Sequence, residues 1–398
     1  MKKIIPLIIC SSLFLIASCS KTKQDSHSLS SSGSDISSSE EISSSSSSEE
    51  VVALKMQSYI GGFKVVDNSL TTSSSNNLGI VTNYHIDKGH LSTLLTVKGE
   101  GDAGIIFNSE SYPKNYYSLF ITTYGGNQLK LTKKVNNEEV VLRSCYITAG
   151  YSKNATNRLS VDFDNGDIKC FFNESMLLSY QDDSPLSSNC FGFFSRNSGT
   201  TFENVYFSKD KQFKTVDTLI IGHSYMELWS NYKEDLSRYK DIMNIGIGGT
   251  ATNDWIGHRD EVKAYHPNRL IYMIGINDYP RGTSASQIIA NIKTLIDGVL
   301  LDLPEVQICL VSVNQCPTHV DYKTAIKETN DLLKVYVSNN DRLYYGDLDN
   351  AFLKEDQTPD PNCFVDGLHP TSESYKVIAQ AIYDGFDGKM PPLPPEED

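Results

Sequence analysis

Apolar and polar residues alternate in short runs along residues 51–210, with turn-forming residues between the runs. In the clearest run, Leu159, Val161 and Phe163 alternate with polar neighbours, and Asn165-Gly166 follows. That dipeptide favours a tight hairpin with positive φ at both residues. Many strands without a helical period predict a two-sheet antiparallel sandwich. The other runs are STLLTV, DAGIIFN, YYSLFITTY, EVVLRSCYI, CFGFFS and TFENVYF.

The pattern changes after Lys211, where apolar strands alternate with amphipathic helices. In one predicted helix the apolar positions Ile288, Ile292, Leu295 and Val299 recur at spacings of four, three and four, which places them on one face. This alternation predicts a doubly wound parallel sheet between two helical layers. Ligands bind at the carboxyl ends of the strands in such folds.

The first residues have the pattern of an export signal. Lys2-Lys3 precede an apolar stretch from Ile4 to Ile16, which is too short for an ordinary spanning helix. Ile16-Ala17-Ser18-Cys19 resembles a bacterial lipobox, which implies cleavage before Cys19 and lipidation of that cysteine. A plain secretory signal is the alternative. The lipoprotein interpretation predicts an extracytoplasmic protein held at the bacterial membrane surface by lipid chains.

Residues 20–50 contain 16 serines among 31 residues, a composition that does not support a packed core. The chain is therefore predicted to comprise a signal peptide (1–19), a flexible tether (20–50), a β-sandwich (51–210), a parallel-sheet domain (211–388) and a flexible tail (389–398).

Charge and cysteine content exclude some functions. The net charge of −14 argues against nucleic acid as a partner, because no basic stripe is present to contact phosphates. Beyond Cys10 and Cys19, the six remaining cysteines show no CxxC pairing, so no metal site is predicted. Export permits disulfides, but no pair is indicated, and free buried thiols are expected.

Polar residues and glycines follow the predicted strand ends, on the edge where a ligand would lie. A serine here would have its hydroxyl at a helix amino end, among free N–H groups. Each short motif alone is weak, but their order along one sheet edge makes them a candidate site. The residues are His223, Ser224, Gly249, Asn277, Asp278, Asp366 and His369.

These motifs resemble the conserved blocks of SGNH (GDSL) hydrolases over about Val216 to Phe386. The resemblance implies Ser224 as nucleophile, Gly249 and Asn277 as oxyanion donors, and Asp366 with His369 as the remaining triad members. The family's usual Gly-Asp-Ser is Gly-His-Ser here, which alters the charge beside the nucleophile. The sandwich more loosely resembles concanavalin-like (laminin-G-like) jelly rolls.

The resemblance implies an esterase that needs no metal or cofactor. His369 would take the proton of Ser224, and Asp366 would hold the imidazole tautomer. Its substrate would be a small-molecule or glycan ester, with acetyl groups of a polysaccharide favoured. The alternatives are an inactive surface adhesin and a lipid-directed, lysophospholipase-like esterase. His223, Tyr225, Trp255 and Asp278 are candidate substrate-pocket residues, whereas His258, His266 and His319 are expected to be solvated or capping.

Overall fold

The computed structural model describes residues 53–124, 126–147 and 154–394. The predicted signal peptide, the predicted lipidation site Cys19 and the serine-rich tether lie outside these residues, as does the end of the predicted tail. Among the described residues, none of the helices has the length and apolar character needed to cross a membrane.

The amino-terminal half consists of two antiparallel seven-stranded sheets, as the alternating pattern predicts. The first sheet has the order β1-β4-β13-β6-β7-β8-β9, and the second has β12-β11-β10-β5-β14-β3-β2. The strands are β1 Met56–Ile60, β2 Phe63–Val66, β3 Ser69–Thr72, β4 Asn77–Val81, β5 Gly89–Thr96, β6 Asp102–Ser109, β7 Tyr116–Thr122, β8 Gln128–Val135, β9 Glu138–Tyr146, β10 Thr156–Asp164, β11 Asp167–Phe172, β12 Ser175–Gln181, β13 Cys190–Ser195 and β14 Thr201–Ser208.

The hairpin between β10 and β11 confirms the turn prediction. Asp164 pairs with Asp167, and the two residues between them, Asn165 and Gly166, have φ of 46° and 88°. Positive φ at both central residues matches the right-handed twist of the flanking strands. The alternation in β10 buries the apolar side chains in the core between the sheets.

The carboxyl-terminal half contains a five-stranded parallel sheet with the order β16-β15-β17-β18-β19. The chain adds β16 on one side of β15 and then adds β17, β18 and β19 in turn on the other side. Right-handed crossovers therefore place α1 and α2 on one face of the sheet and α3 to α6 on the other. Helix α7 contacts α2 and so completes the first face. The elements are β15 Thr218–Gly222, α1 Ser224–Glu227, α2 Tyr232–Asp235, β16 Ile242–Asn244, α3 Thr252–Ile256, α4 Arg259–Tyr265, β17 Arg269–Met273, α5 Ala285–Asp302, β18 Gln307–Val311, α6 Lys323–Ser338, β19 Leu343–Gly346 and α7 Ser372–Phe386.

The long helix α5 has the predicted apolar face, but other helices differ in length from the prediction. All four stripe residues of α5 are buried. The single helix expected over TNDWIGHRDEVKAY is two helices, α3 and α4, because the chain leaves helical geometry around Gly257 and His258. The helix expected from Met226 starts at Ser224 and lasts one turn, followed by the short α2.

The two halves pack against each other through buried polar contacts. The guanidinium of Arg143 on β9 donates to the carboxylate of Glu261 on α4 at 2.7 Å, and Ser179 N–H donates to the same oxygen at 2.8 Å. The Tyr265 hydroxyl accepts from the N–H of Met176 at 2.7 Å. Burial alone would raise the pKa of Glu261, but the neighbouring His258 ring and the Arg143 guanidinium hold that pKa below its ordinary value. Glu261 is therefore an ionised group inside the junction.

The six cysteines of the described residues are unpaired, as expected. All are buried except Cys363, which is half-buried. Burial raises the pKa of the Cys309 and Cys145 thiols well above the ordinary value. These thiols therefore act as small apolar core groups.

Candidate active site

The candidate nucleophile lies on a sharp turn between β15 and α1. Gly222 has φ of 149°, and a Cβ at this position would lie 2.1 Å from the carbonyl oxygen of Met273, so only glycine fits. His223 then caps α1: its Nδ1 accepts from the N–H of Tyr225 at 3.3 Å. This geometry places Ser224 at the first position of α1, where backbone N–H groups have no helical partners.

The loop before α7 holds the candidate base and its carboxylate. Its ends are joined by a hydrogen bond from Val365 N–H to the carbonyl of His369 at 2.8 Å. Gly367 between them has φ of 83°, which favours glycine. Asp366 Oδ1 accepts from the N–H groups of Leu368 and His369 at 3.0 and 2.8 Å. These backbone hydrogen bonds hold the Asp366 carboxylate in place independently of its contact with the His369 ring.

The side chains of Ser224, His369 and Asp366 form a continuous hydrogen-bonded chain. Ser224 Oγ lies 3.0 Å from His369 Nε2, and His369 Nδ1 lies 2.8 Å from Asp366 Oδ2. Backbone and side-chain hydrogen bonds from His369 lower the pKa of Asp366 to about 2. An ionised carboxylate on Nδ1 keeps the proton there and leaves Nε2 free to accept from the serine hydroxyl.

Two contacts join the serine turn to the histidine loop. The Tyr225 hydroxyl donates to the carbonyl of Leu368 at 2.7 Å. The Tyr375 hydroxyl on α7 donates to the carbonyl of Tyr225 at 2.8 Å. The distance between nucleophile and base is therefore held by buried phenols as well as by the Ser224–His369 contact itself.

Gly249 and Asn277 follow β16 and β17, the two strands that flank β15, at the same sheet edge. Gly249 is exposed and has φ of 74°, and its N–H donates to no group among the described residues. Asn277 is half-buried, and its side-chain amide donates to the carbonyl of Thr250 at 2.9 Å. One hydrogen of that amide orients the group, and the second remains available for a substrate oxygen.

Arg281 is a positioning residue that the sequence analysis missed. Its guanidinium donates to the carbonyl of Gly249 at 2.6 Å and to Asp254 Oδ2 at 2.8 Å. Arg281 lies in the segment after β17, and its contacts therefore hold the glycine-containing loop after β16 in place. An arginine four residues after the Gly-Ile-Asn motif was the available signal, but sequence spacing alone does not show which backbone carbonyl it reaches.

The four predicted substrate-pocket residues lie in the interior, which corrects that expectation. His223 is 1% exposed, and Tyr225, Trp255 and Asp278 are each 0% exposed. Burial raises the pKa of Asp278, whose carboxylate accepts from the N–H and hydroxyl of Thr252 at the start of α3. The Trp255 indole donates to the hydroxyl of Thr250 at 3.0 Å. These side chains contact the loops of the candidate site from the protein interior.

His223 is a neutral cap in this structure. Burial, followed by the neighbouring imidazoles of His369 and His319, lowers the pKa of His223 to about 3. Its Nδ1 is occupied by the Tyr225 N–H, so that nitrogen does not serve as the base for Ser224. An imidazole thus performs the capping that an aspartate can perform, without adding a negative charge beside His369.

The remaining histidines differ partly from the expectation that they are solvated or capping. His266 is exposed and ends α4 in the left-handed region, with φ of 48°. His258 and His319 are buried. His258 lies 3.5 Å from the buried Glu261, and His319 lies 2.8 Å from the Thr318 hydroxyl. Burial of these two rings follows from packing that the local sequence does not specify.

A cavity of about 320 Å³ adjoins His369 and Asp366. Its lining is mixed: Ser230 and Asn231 are polar, whereas Leu228, Trp229 and Val365 are apolar. Neither Gly249 nor Asn277 lines it, so it lies on the histidine side of the nucleophile. Among the described residues no group of three or more His, Cys, Asp or Glu side chains has the arrangement of a metal site.

Comparison with known families agrees with the fold of the carboxyl-terminal half. Residues 217–377 match the model of the GDSL-like lipase/acylhydrolase family, which supports an ester-hydrolysing enzyme. The parallel-sheet half is thereby supported as a GDSL-like acylhydrolase domain. Residues 76–211, within the antiparallel sheets, match a model described as farnesoic acid O-methyl transferase.

Individual relatives are distant. Platelet-activating factor acetylhydrolase IB subunit alpha1 of Homo sapiens is 24% identical over 184 residues, covering 44% of this chain and 76% of its own. A GDSL-like lipase of Bacteroides thetaiotaomicron is 19% identical and covers 43% of this chain and 87% of its own, with a TM-score of 0.38. The carbohydrate binding module CBM66 of Bacillus subtilis is 16% identical and covers 38% and 94%, with a TM-score of 0.34. The fold assignment rests on the strand order described above.

Proposed function

We propose that this protein is a serine esterase that removes acyl groups, acetyl in the first place, from hydroxyl-bearing alcohols such as carbohydrates. The hydrogen-bonded chain from Ser224 through His369 to Asp366 carries the proposal. The family match and the acetylhydrolase named among the relatives support ester chemistry and a small acyl group.

In the proposed reaction, His369 takes the proton of Ser224 as the serine oxygen attacks the ester carbonyl. The resulting oxyanion is stabilised by the backbone N–H groups of Ser224 and Gly249 and by the side-chain amide of Asn277. The C–O bond to the alcohol then breaks, and His369 gives its proton to the departing alkoxide. Water attacks the acyl-serine by the same route, which releases the carboxylic acid and restores the serine hydroxyl.

The alcohol portion of the substrate is assigned to the cavity beside His369. A general acid must reach the oxygen that it protonates, so the leaving alcohol lies on the histidine side of the nucleophile. The lining of this cavity mixes polar side chains with the aromatic rings of Trp229 and Tyr375, and such a mixture suits a sugar alcohol, in which hydroxyl groups surround apolar C–H faces. This supports a carbohydrate ester over the lipid-directed alternative.

Acetate release by the full-length protein tests this proposal. We expect release from acetylated oligosaccharides and from p-nitrophenyl acetate, followed by proton NMR and by absorbance. Lysophosphatidylcholine and p-nitrophenyl palmitate should be poor substrates, with kcat/KM at least about tenfold lower. Heat-denatured protein serves as the control. Release no faster than that control from both acetyl substrates would contradict the proposal, and preference for the lipid would reassign the substrate.

We further propose that the protein is held at the bacterial membrane surface through lipid on Cys19. The support comes from the sequence alone: the signal-like residues before Cys19 and the serine-rich segment after it. In bacteria grown with a labelled fatty acid, we expect the wild-type chain to incorporate label. Cys19→Ala should lose the label and the membrane association, whereas Cys10→Ala, the matched control, should keep both. Equal labelling of wild type and Cys19→Ala would exclude this anchor.

A further inference from the structure

The histidine loop, residues 365–369, is exposed, so its geometry depends on contacts with other segments. The side chains of His369 and Asp366 are 27% and 55% exposed. An ion pair in contact with water contributes little to holding two side chains in one arrangement. A general base acts only while it stays within hydrogen-bond reach of the hydroxyl that it deprotonates. The loop therefore needs anchoring contacts besides those within it.

Thr318, in the segment after β18, supplies such an anchor. The carbonyl of Gly367 accepts from the N–H of Thr318 at 3.1 Å and from its hydroxyl at 3.3 Å. A Cβ on Gly367 would lie 3.3 Å from the methyl group of Thr318, so the two residues are in direct contact. Gly367 follows Asp366 directly in the chain. Movement of this carbonyl would therefore move the backbone that holds the carboxylate.

A second histidine orients the Thr318 hydroxyl. His319 Nδ1 lies 2.8 Å from the hydroxyl oxygen. The hydroxyl has one hydrogen, which it donates to the Gly367 carbonyl, so the hydrogen between the hydroxyl and His319 belongs to Nδ1. The sulfur of Cys316 lies 3.4 Å from the same oxygen and the same nitrogen and is the weaker partner of both. Burial lowers the pKa of His319, which favours a neutral ring with its single N–H on Nδ1.

Packing fixes His319 in turn. The residue is 8% exposed, and its backbone N–H donates to the carbonyl of Cys316 at 3.1 Å. Its ring lies 5.6 Å from the ring of Tyr322, measured between centres. Tyr322 stacks on Tyr279, with 5.6 Å between ring centres and 22° between planes. Because Tyr279 follows Asn277 by two residues, this row of rings connects the segment after β17 to the anchor of the histidine loop.

We propose that Thr318 is a positioning residue for the base His369. Its hydroxyl, oriented by His319, holds the Gly367 carbonyl and thereby the histidine loop. This inference rests on the proposed esterase function, in which His369 takes the proton of the nucleophile. Because Thr318 acts through the loop backbone, loss of its hydroxyl slows the chemical steps and leaves substrate binding unchanged.

Steady-state kinetics of full-length variants with p-nitrophenyl acetate test this role. Thr318→Val keeps the side-chain shape and removes the hydroxyl. It should lower kcat roughly fivefold, the equivalent of one ordinary hydrogen bond, and change KM by less than about twofold. Thr318→Ser keeps the hydroxyl and should stay within about twofold of the wild type. Thr294→Val is the matched control, because the exposed Thr294 hydroxyl donates to the carbonyl of Ala290 within α5, and it should leave both constants unchanged.

A second measurement follows the same hydrogen bonds without any reaction. In protein labelled with ¹⁵N-histidine, NMR shows which ring nitrogen carries hydrogen, and His319→Asn and His369→Ala identify the signals of these two rings. We expect hydrogen on Nδ1 of His319. Thr318→Val should shift the ring signals of His369, whereas Thr294→Val should not. If the wild type hydrolysed no acetyl ester, the proposed function would fail, but these signals would still show whether Thr318 holds the loop.

Thermal unfolding of each variant shows whether the proteins compared are folded. Four results would each overturn the proposal. Two are kinetic: equal kcat for Thr318→Val and Thr294→Val, or equal loss of kcat in Thr318→Ser and Thr318→Val. The other two are spectroscopic: hydrogen on Nε2 of neutral His319 in the wild type, or unchanged His369 signals in Thr318→Val.

Discussion

Replacement of His369 by alanine is expected to lower kcat for p-nitrophenyl acetate by roughly a thousandfold or more. The imidazole is the group within hydrogen-bond reach of Ser224 Oγ, at 3.0 Å, and without it the hydroxyl has no positioned base. Initial rates of the purified variants measure the effect, and thermal unfolding of each variant shows that the protein compared is folded. Activity of His369→Ala near that of wild type would show the triad assignment to be wrong.

Further variants test the same triad assignment. Ser224→Ala should lose as much activity as His369→Ala, and the double variant should lose no more than either, because the two groups act as one unit. His223→Asp should keep measurable activity, because aspartate can also cap α1. His85→Ala removes an exposed imidazole of the sandwich and should leave the rate unchanged.

Asn277→Ala is expected to lower kcat by about a hundred- to a thousandfold with little change in KM. The amide would be lost as a donor to the oxyanion, which forms only as the reaction proceeds, so the ground-state complex is little affected. Asn277→Asp retains the size of the side chain but cannot donate when ionised, and it should lose at least as much. Steady-state kinetics with p-nitrophenyl acetate separate the kcat and KM effects.

Asn291→Ala is the matched control for this prediction. Its amide also donates to a threonine near the loop after β16, the hydroxyl of Thr252 at 2.9 Å, but it extends from α5 behind the site. A change of less than about threefold is expected there. If Asn277→Ala were as active as Asn291→Ala, Asn277 would have no role in stabilising the oxyanion.

Local pattern was sufficient for the class of each half and for the placement of candidate site residues after strands, although β1 to β4, β8 and β12 are not among the alternating runs recognised in the sequence. Asn165-Gly166 specifies its turn through backbone sterics alone, and the stripe on α5 reflects one helix face. Parallel strands end at a common edge, so Ser224 and Asn277 could be placed together before their distances were known. The contact of Ser224 with His369, 145 residues later, is a tertiary fact that the family resemblance anticipated.

Burial and long-range pairing could not be predicted in the same way. Tyr225 and Asp278 lie shortly after strand ends in the sequence and Trp255 lies on α3, yet all three side chains are buried and have hydrogen-bond partners in the interior. Arg143 and Glu261 are 118 residues apart and belong to different halves. No periodicity links such a pair, and only the packing of one half on the other creates it.

That packing has a consequence for how this chain can be divided. The family match begins at residue 217, which suggests a cut just before β15. Such a cut would leave the Glu261 carboxylate without the guanidinium of Arg143 and would uncover the phenol of Tyr265. These side chains would then face water, and the stability that their contacts with the sandwich contribute would be lost. The sandwich thus covers one surface of the parallel-sheet half, and the two halves are best expressed as one unit.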